Sequence, residues 1–277
     1  MTGILYIVAT PIGNLQDMSF RAIEVLKQVD LIAAEDTRHS NKLLNYFGID
    51  TALTSFHEHS SPEKQAYLVR ELLADKSIAL ISDAGTPLIS DPGSWLVAKA
   101  KQEQIKVVPI PGPCAAIAAL SVAGLSTAKF HFEGFLPAKT SARQQRLQEL
   151  CLFTQTLILY EAPHRIIDLV TDLEMIMGGS RQIVIARELT KTFETIYSAC
   201  VSEVLTWLQS NDNEQRGEFV VLVAGMTENL KNNLTEAMRI YRILQNELSS
   251  KQAIKLAAAI AEVSKNELYK IVLESKP

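Results

Sequence analysis

The residues best suited to chemistry in this sequence of 277 residues stand directly after short apolar segments. The densest group, 82–93, repeats the pattern Ser-Asp-x-Gly within a dozen residues. Asp83 is followed by Ala84 and Gly85, whose small or absent side chains let a ligand approach the backbone closely. Asp91 precedes a proline that opens a helical pattern, which predicts an ordinary helix N-cap. We therefore expect ligand contact near Asp83 and a structural role for Asp91.

A second group follows the first two predicted strands and resembles part of a dinucleotide site. Glu35 lies 22 positions after Gly13, a spacing typical of the acid that binds ribose hydroxyls in dinucleotide folds. However, this loop has one glycine where the fingerprint needs three, and Pro11 removes a backbone donor. A diphosphate clamp is disfavoured, although an NAD-dependent oxidoreductase remains an alternative. Asp36 is also placed to act as the N-cap of the helix that follows.

Two further loops carry prolines and charges. Three prolines within 109–113 stiffen a loop that ends in small residues, which suits an apolar ligand surface, and Cys114 is predicted to start a helix rather than to act as a nucleophile. In 160–165, His164 and Arg165 occupy a predicted first helical turn, where the helix dipole disfavours cations. This mismatch predicts a partner, either Glu161 or an anionic ligand.

No metal site is predicted. The segment His57-Glu58-His59 offers at most two imidazoles, and two ligands do not make a zinc site. The three cysteines are far apart and form no CxxC pair. These features, together with the absence of a run of about 20 apolar residues, predict a soluble, cytoplasmic protein that does not enter a membrane.

Charge is divided unevenly along the chain. The formal net charge is −4, but residues 232–277 carry +2 and the remainder −6. Lys139, Arg143 and Arg146 lie in a stretch without acids, predicted to be a basic loop entering a helix. This balance excludes a protein coated with positive charge but permits local contacts with nucleic acid. A non-enzymatic RNA-binding module is therefore a further alternative.

The elements that must position these residues form three predicted parts. Residues 1–125 alternate buried strands with capped helices, which predicts an N-terminal doubly wound α/β domain with a parallel sheet. Residues 126–231 restart the pattern as a second α/β domain, and residues 232–277 form a helical extension.

Eight motifs together resemble those of the tetrapyrrole methylase-like (class III) methyltransferases, in particular their ribosomal RNA branch. The resemblance covers the chain from Tyr6 to Val223, and the tail resembles the helix-turn-helix extension of the rRNA enzymes. The motifs are Thr10–Leu15, Ala34–Arg38, Ser82–Pro87, Pro111–Pro113, Glu133–Pro137, Tyr160–Arg165, Arg187–Lys191 and Gly217–Phe219. The usual Gly-Asp-Pro of the tetrapyrrole enzymes is Ser82-Asp83-Ala84 here, which points away from corrin substrates.

The resemblance implies two α/β domains with a cofactor cleft between them, a homodimer, and methylation dependent on S-adenosyl-L-methionine. The implied acceptor is the 2′-hydroxyl of a cytidine ribose in the decoding region of 16S rRNA, in the small ribosomal subunit. A relative that methylates a tetrapyrrole or a protein side chain is the nearest alternative. Phosphate contacts position RNA without specifying sequence, so the basic stretch at Lys139, Arg143 and Arg146 and the C-terminal helices are the expected RNA contacts.

Site residues follow from the same resemblance. The expected cofactor contacts are Pro11, Gly13, Asp83, Ala84, Gly85, Thr86, Cys114, Ala115, Tyr160, Glu161, Leu189 and Phe219. A ribose hydroxyl needs a base to remove its proton, and the candidates are Glu35, Asp36, Glu58 and His59. Arg38, Arg165 and Lys191 are expected to hold phosphate or to lower the pKa of the hydroxyl.

Overall fold

The computed structural model describes residues 3–57, 60–91, 93–226 and 228–274. Contacts divide the chain into two compact units. The first runs to Ala118 and also includes the segment Glu188–Glu194, and the second contains Ala119–Arg187 and the chain from Thr195 onward. The domain boundaries expected near 125 and 231 remain predictions.

The first unit is built on a parallel sheet of five strands, as predicted. Its order is β3-β2-β4-β1-β5, and every pairing is parallel. The strands are β1 (Ile4–Val8), β2 (Leu31–Ala34), β3 (Leu53–Ser55), β4 (Ile78–Ile81) and β5 (Lys106–Ile110). All residues of β2 and β4 are buried, which explains their continuous apolar sequence.

Helices cover both faces of this sheet. They are α1 (Phe20–Gln28), α2 (Thr37–Tyr46), α3 (Pro62–Leu73) and α4 (Ser94–Gln102). The next helix, α5 (Ala115–Val122), contains the boundary between the two units. Apolar residues of α1 and α2 form one core with the sheet, and those of α3 and α4 form another. The unit is therefore doubly wound.

The prediction that Asp91 caps α4 is wrong. The N-cap of α4 is Gly93, with φ +124° and no side-chain cap hydrogen bond. Glycine adopts this backbone conformation without the steric cost of a Cβ atom, so the turn into α4 forms two residues later than the sequence pattern indicated.

The second unit contains a mixed sheet of five strands. Its order is β6-β7-β10-β8-β9, and only β6 and β7 pair in parallel among these strands. The strands are β6 (Phe130–Phe135), β7 (Thr156–Glu161), β8 (Gln182–Arg187), β9 (Thr195–Cys200) and β10 (Phe219–Val223). The accompanying helices are α6 (Thr140–Leu150), α7 (Ile166–Met177) and α8 (Val201–Ser210).

The chain ends in three helices, α9 (Glu228–Leu244), α10 (Ser250–Ile260) and α11 (Lys265–Glu274). They share a small core that includes Tyr241, Ile254 and Leu268. Ser249 caps α10 in a capping box with Gln252, as expected for one of the two serines there. Among the described residues, no helix has the length and apolar character needed to cross a membrane.

Candidate functional site

The loops at the carboxyl ends of β1 and β4 form a hydrogen-bonded cluster in the first unit. These strands are neighbours, and their following helices lie on opposite faces of the sheet. Doubly wound sheets bind ligands at such a switch point. The loops are joined there by two backbone hydrogen bonds between Thr10 and Gly85, of 2.8 and 3.0 Å.

Gly85 is required at this junction by both conformation and space. Its φ is +79°, and a Cβ atom would lie 3.3 Å from Ile12 Cγ2 and 3.7 Å from the Pro113 carbonyl oxygen. The Thr86 hydroxyl donates to that same carbonyl at 2.9 Å. The loops after β1, β4 and β5 are therefore held together, and with them the predicted cofactor residues Pro11, Gly13, Asp83, Ala84, Gly85, Thr86, Cys114 and Ala115.

Three carboxylates gather beside this junction, at the ends of the adjacent strands β2 and β4. Burial raises the pKa of Glu35, and the charges of Asp91 and Asp83 raise it further, against a hydrogen bond from the backbone of Asp83. Burial also raises the pKa of Asp91, although a hydrogen bond with Ser82 opposes the change. The Asp83 carboxylate accepts from the backbone N–H of Asp36 at 3.1 Å. Glu35 is thus a carboxyl group whose basicity is increased by its surroundings.

Asp36 has a different environment from its neighbour Glu35. It is the N-cap of α2 and accepts from the Arg38 backbone N–H at 2.8 Å, as the capping interpretation predicted. Its side chain also pairs with the Arg38 guanidinium at 2.9 Å. These hydrogen bonds lower the pKa of Asp36 to about 2, which makes it a weak base. The Arg38 side chain is 90% exposed.

The segment Glu188–Glu194 places Leu189 and Lys191 beside Gly13. An added Cβ on Gly13 would lie 2.5 Å from Lys191 Cγ and 2.9 Å from the Leu189 carbonyl oxygen. The Thr190 hydroxyl accepts from the Asn14 backbone N–H at 3.1 Å. Glu188 and Thr190 have positive φ angles of 51° and 64°, so this segment has a specific, partly strained conformation. Lys191 also pairs with Glu188 at 2.9 Å.

Replacing Gly13 with alanine should release this segment. The backbone oxygen of Leu189 cannot move away alone, so we expect a loss of about 1–3 kcal/mol, typical of overpacking, and faster tryptic cleavage after Lys191. Urea unfolding and timed proteolysis measure both effects. Gly48→Ala is the control for backbone strain alone. Its φ of +61° makes alanine costly, but nothing lies within 4 Å of the added Cβ, so it should lose stability without faster cleavage after Lys191. Unchanged cleavage in Gly13→Ala would show that the contact does not hold the segment.

The predicted residues of the second unit meet at one end of β7 and β10, two interior strands of its sheet. Phe219 pairs with Glu161, and Val220 with Tyr160, across β10 and β7. The Glu161 side chain is fully buried and pairs with Arg165 at 3.2 Å. This pairing confirms Glu161 as the expected partner of Arg165. Burial raises the pKa of Glu161 despite that cation.

The basic stretch differs from its prediction at Arg143. That side chain is 2% exposed, and its Nε lies 2.6 Å from Asp172 Oδ2, so the prediction that Arg143 contacts RNA is wrong. Arg146 pairs with Glu133 at 2.6 Å and with Glu149 at 2.5 Å. Lys139 is exposed. Acids outside the segment therefore neutralise two of its three cations, although the segment itself contains no acid.

Two residues of the first unit were missed by the sequence reasoning. Asp91 interacts with Glu35 together with Asp83, and the repeated Ser-Asp-x-Gly pattern is the sequence signal for it. Thr190 binds the loop after β1, and nothing in the local sequence indicated this.

Glu58 and His59 lie outside the described residues, so their roles as bases stay predictions. Among the described residues, no group of three or more His, Cys, Asp or Glu side chains could hold a metal ion.

Family models match most of the chain. The model described as Tetrapyrrole (Corrin/Porphyrin) Methylases matches residues 4–205, and the model described as RsmI C-terminal HTH domain matches residues 232–276.

Curated relatives match over nearly their full length. The chain is 51% identical over 273 residues to ribosomal RNA small subunit methyltransferase I of Vibrio cholerae, covering 98% of this chain and 95% of the relative. It is 52% identical over 274 residues to the protein of the same name in Pseudomonas aeruginosa, covering 98% and 97%.

Solved structures share the fold at low identity. Diphthine synthase matches with a TM-score of 0.61 and 14% identity, covering 80% of this chain and 90% of that one. Uroporphyrin-III-C-methyltransferase from Thermus thermophilus matches with a TM-score of 0.57 and 16% identity, covering 80% and 94%.

Proposed function

Because the chain belongs to the tetrapyrrole methylase family, we propose that it is a ribosomal RNA methyltransferase that methylates the 2′-hydroxyl of a cytidine ribose in 16S rRNA. Its methyl donor is S-adenosyl-L-methionine. The observation that carries the proposal is the joined pair of loops at Thr10 and Gly85, with Glu35 at the end of a neighbouring strand. The relatives named above, at about half identity over nearly the whole chain, support the RNA substrate.

The residues at this junction fit the donor. Gly85 and Ala84 leave backbone accessible beside Asp83, whose carboxylate can accept from an ammonium group, and the stiff Pro111–Pro113 loop with Cys114 offers an apolar wall. The proposed contacts for the adenine are Leu189 and the strand-end residues Tyr160 and Phe219. Glu161 is proposed to contact the cofactor through its backbone only. When bound, S-adenosylmethionine supplies a methyl group on a sulfonium, with a neutral thioether as the leaving group.

Glu35 is the proposed base. Methyl transfer is an in-line displacement in which alignment provides much of the rate, but the 2′-hydroxyl is a poor nucleophile until it loses its proton. The Glu35 carboxylate, with its raised pKa, takes that proton as the ribose oxygen takes the methyl group. Asp36 is tied to Arg38 and to the start of α2, and it is therefore the weaker candidate.

The cations of the site have proposed roles in holding RNA. Arg38 is almost fully exposed at the first turn of α2, and Lys191 lies beside the loop after β1. Both can bind phosphates that flank the target nucleotide, which would position the ribose without reading sequence. Lys139 and the C-terminal helices are proposed as further contacts. A homodimer and a cytoplasmic location, where small ribosomal subunits are assembled, belong to the same proposal.

Methyl transfer to defined substrates tests this function. Small ribosomal subunits and free 16S rRNA from a bacterial strain lacking the gene are incubated with the protein and methyl-labelled S-adenosylmethionine, and the product is mapped by mass spectrometry of nucleosides. We expect one 2′-O-methylcytidine per subunit. Label on a base, or transfer only to a corrin precursor or a protein side chain, would contradict the proposal. Calorimetry that shows binding of NAD but not of S-adenosylmethionine would favour an oxidoreductase.

A further inference from the structure

A groove in the C-terminal helices is lined by two lysines, two small polar side chains, one aromatic ring and three aliphatic side chains. Its cavity is about 500 Å³, within the 300–1,000 Å³ range of small-molecule sites. It lies between α10 and α11 and is lined by Ser250, Lys251, Ile254, Lys265, Asn266, Tyr269, Val272 and Leu273.

The polar lining of this groove is basic. Lys251 and Lys265 are exposed, and within the described part of the chain neither pairs with a carboxylate. Among the described residues that line the groove, none is acidic. Glu267, two residues after Lys265 on α11, interacts electrostatically with the buried Arg181 of the same unit. The groove is therefore lined by two lysines whose positive charges no lining carboxylate neutralises, together with a serine and an asparagine.

The apolar lining supplies a surface for a base. The Tyr269 side chain is 50% exposed and Leu273 is equally exposed, although both lie beside the buried Ile254 and Val272. Unpaired bases stack on exposed aromatic rings while lysines hold the adjoining phosphates. A protein partner would need an acidic and apolar segment, whereas one unpaired nucleotide supplies a flat base and an anion together.

We propose that this groove binds an unpaired nucleotide of the RNA substrate, with Lys251 and Lys265 on its phosphates and Tyr269 against its base. The inference rests on the proposed function for the identity of the substrate, and it assigns the extension a specific contact surface. Residues 232–277 have a net charge of +2 in a protein whose net charge is −4, which is consistent with an RNA-contacting role for this extension. The groove is expected to hold RNA flanking the target, and the carboxyl ends of β1 and β4 to carry the chemistry.

A matched pair of charge variants tests the groove. The double variant Lys251→Gln/Lys265→Gln removes two cations from the groove, and Lys255→Gln/Lys270→Gln removes two from the same helices outside its lining. Binding of a fluorescein-labelled 12-nucleotide single-stranded RNA to the full chain is measured by anisotropy between 50 and 200 mM salt. Each phosphate contact contributes about 0.7 to the salt slope for single strands. We expect the groove variant to raise Kd about ten-fold and to reduce the slope by about 1, with less than a three-fold change in the control.

Tyr269 separates stacking from charge. Tyr269→Ala should raise Kd several-fold with an unchanged salt slope, whereas Tyr269→Phe should bind as the parent does. Equal effects of the two double variants would overturn the inference, and so would loss of binding to vesicles of phosphatidylglycerol without loss of RNA binding. Binding of S-adenosylmethionine is measured in parallel. If it persists and subunits are methylated while the groove variants behave as controls, the groove inference fails and the proposed function stands.

Discussion

Replacing Glu35 with glutamine is expected to lower kcat for methyl transfer about 10²–10⁴-fold, the usual contribution of a positioned base. Glutamine keeps the shape of the side chain but cannot accept the proton. The Kd for S-adenosylmethionine should change by less than about three-fold, because binding does not require the base. Single-turnover transfer to small ribosomal subunits, together with calorimetry, measures the two quantities separately.

Asp36→Asn is the comparison that identifies the base. Asparagine caps a helix as well as aspartate does, so Asp36→Asn should keep the start of α2 and should reduce the rate far less than Glu35→Gln does. The reverse order would reassign the base to Asp36. The parent rate should rise with pH through the raised pKa of Glu35, because only the ionised carboxylate accepts a proton, and Glu35→Gln should lose that limb of the profile.

The raised pKa of Glu35 also has a consequence for stability. A carboxyl group whose pKa is higher in the folded protein than in the unfolded chain binds more protons when folded, so folding stability falls as pH rises through the folded pKa. Glu35→Gln should therefore melt above the parent at neutral pH, and this difference should disappear at acidic pH, where the Glu35 carboxyl group is protonated in both states. A lower melting temperature would show that the carboxylate stabilises the fold.

Replacing Arg143 with methionine is expected to destabilise the protein by about 3–5 kcal/mol, because it leaves a buried carboxylate without its cation. Asp172 is 4% exposed and lies 2.6 Å from the Arg143 guanidinium. Its other oxygen accepts from Gln144 at 2.7 Å, which cannot compensate the charge. Urea unfolding followed by circular dichroism measures the change in the unfolding free energy.

Two further variants test whether the loss comes from the unpaired buried charge. Arg143→Met/Asp172→Leu removes both charges and should recover most of the loss, since an apolar pair can replace a buried ion pair at little cost. Arg146→Met is the neighbouring control. The Arg146 side chain is 36% exposed, and it should cost about 1 kcal/mol or less, as partly exposed pairs do. Similar losses at 143 and 146 would contradict the distinction between a buried and a surface cation.

Local rules predicted most of the elements because the determinants are local. Strand β2 and helix α11 have the predicted bounds, since a continuous apolar run and a serine followed by helical spacing specify them directly. Asp36 was recognised as a cap for the same reason. At Asp91 the same rule failed, because Gly93 in a positive-φ conformation provides the start of α4 and leaves the carboxylate beside Glu35.

The sequence by itself determined the family, the parallel first sheet and the loops that meet at its edge, because motif spacing and strand burial are properties of neighbouring residues. Only the tertiary structure decided which charges are available. The segment with Lys139, Arg143 and Arg146 contains no acid, yet Asp172, Glu133 and Glu149 approach from other helices and strands or from the next turn and neutralise two of its three cations. In the same way, Lys191 reaches Gly13 across 178 positions of sequence. Electrostatic energy depends on distance in space and on burial, and neither quantity can be obtained from the order of residues.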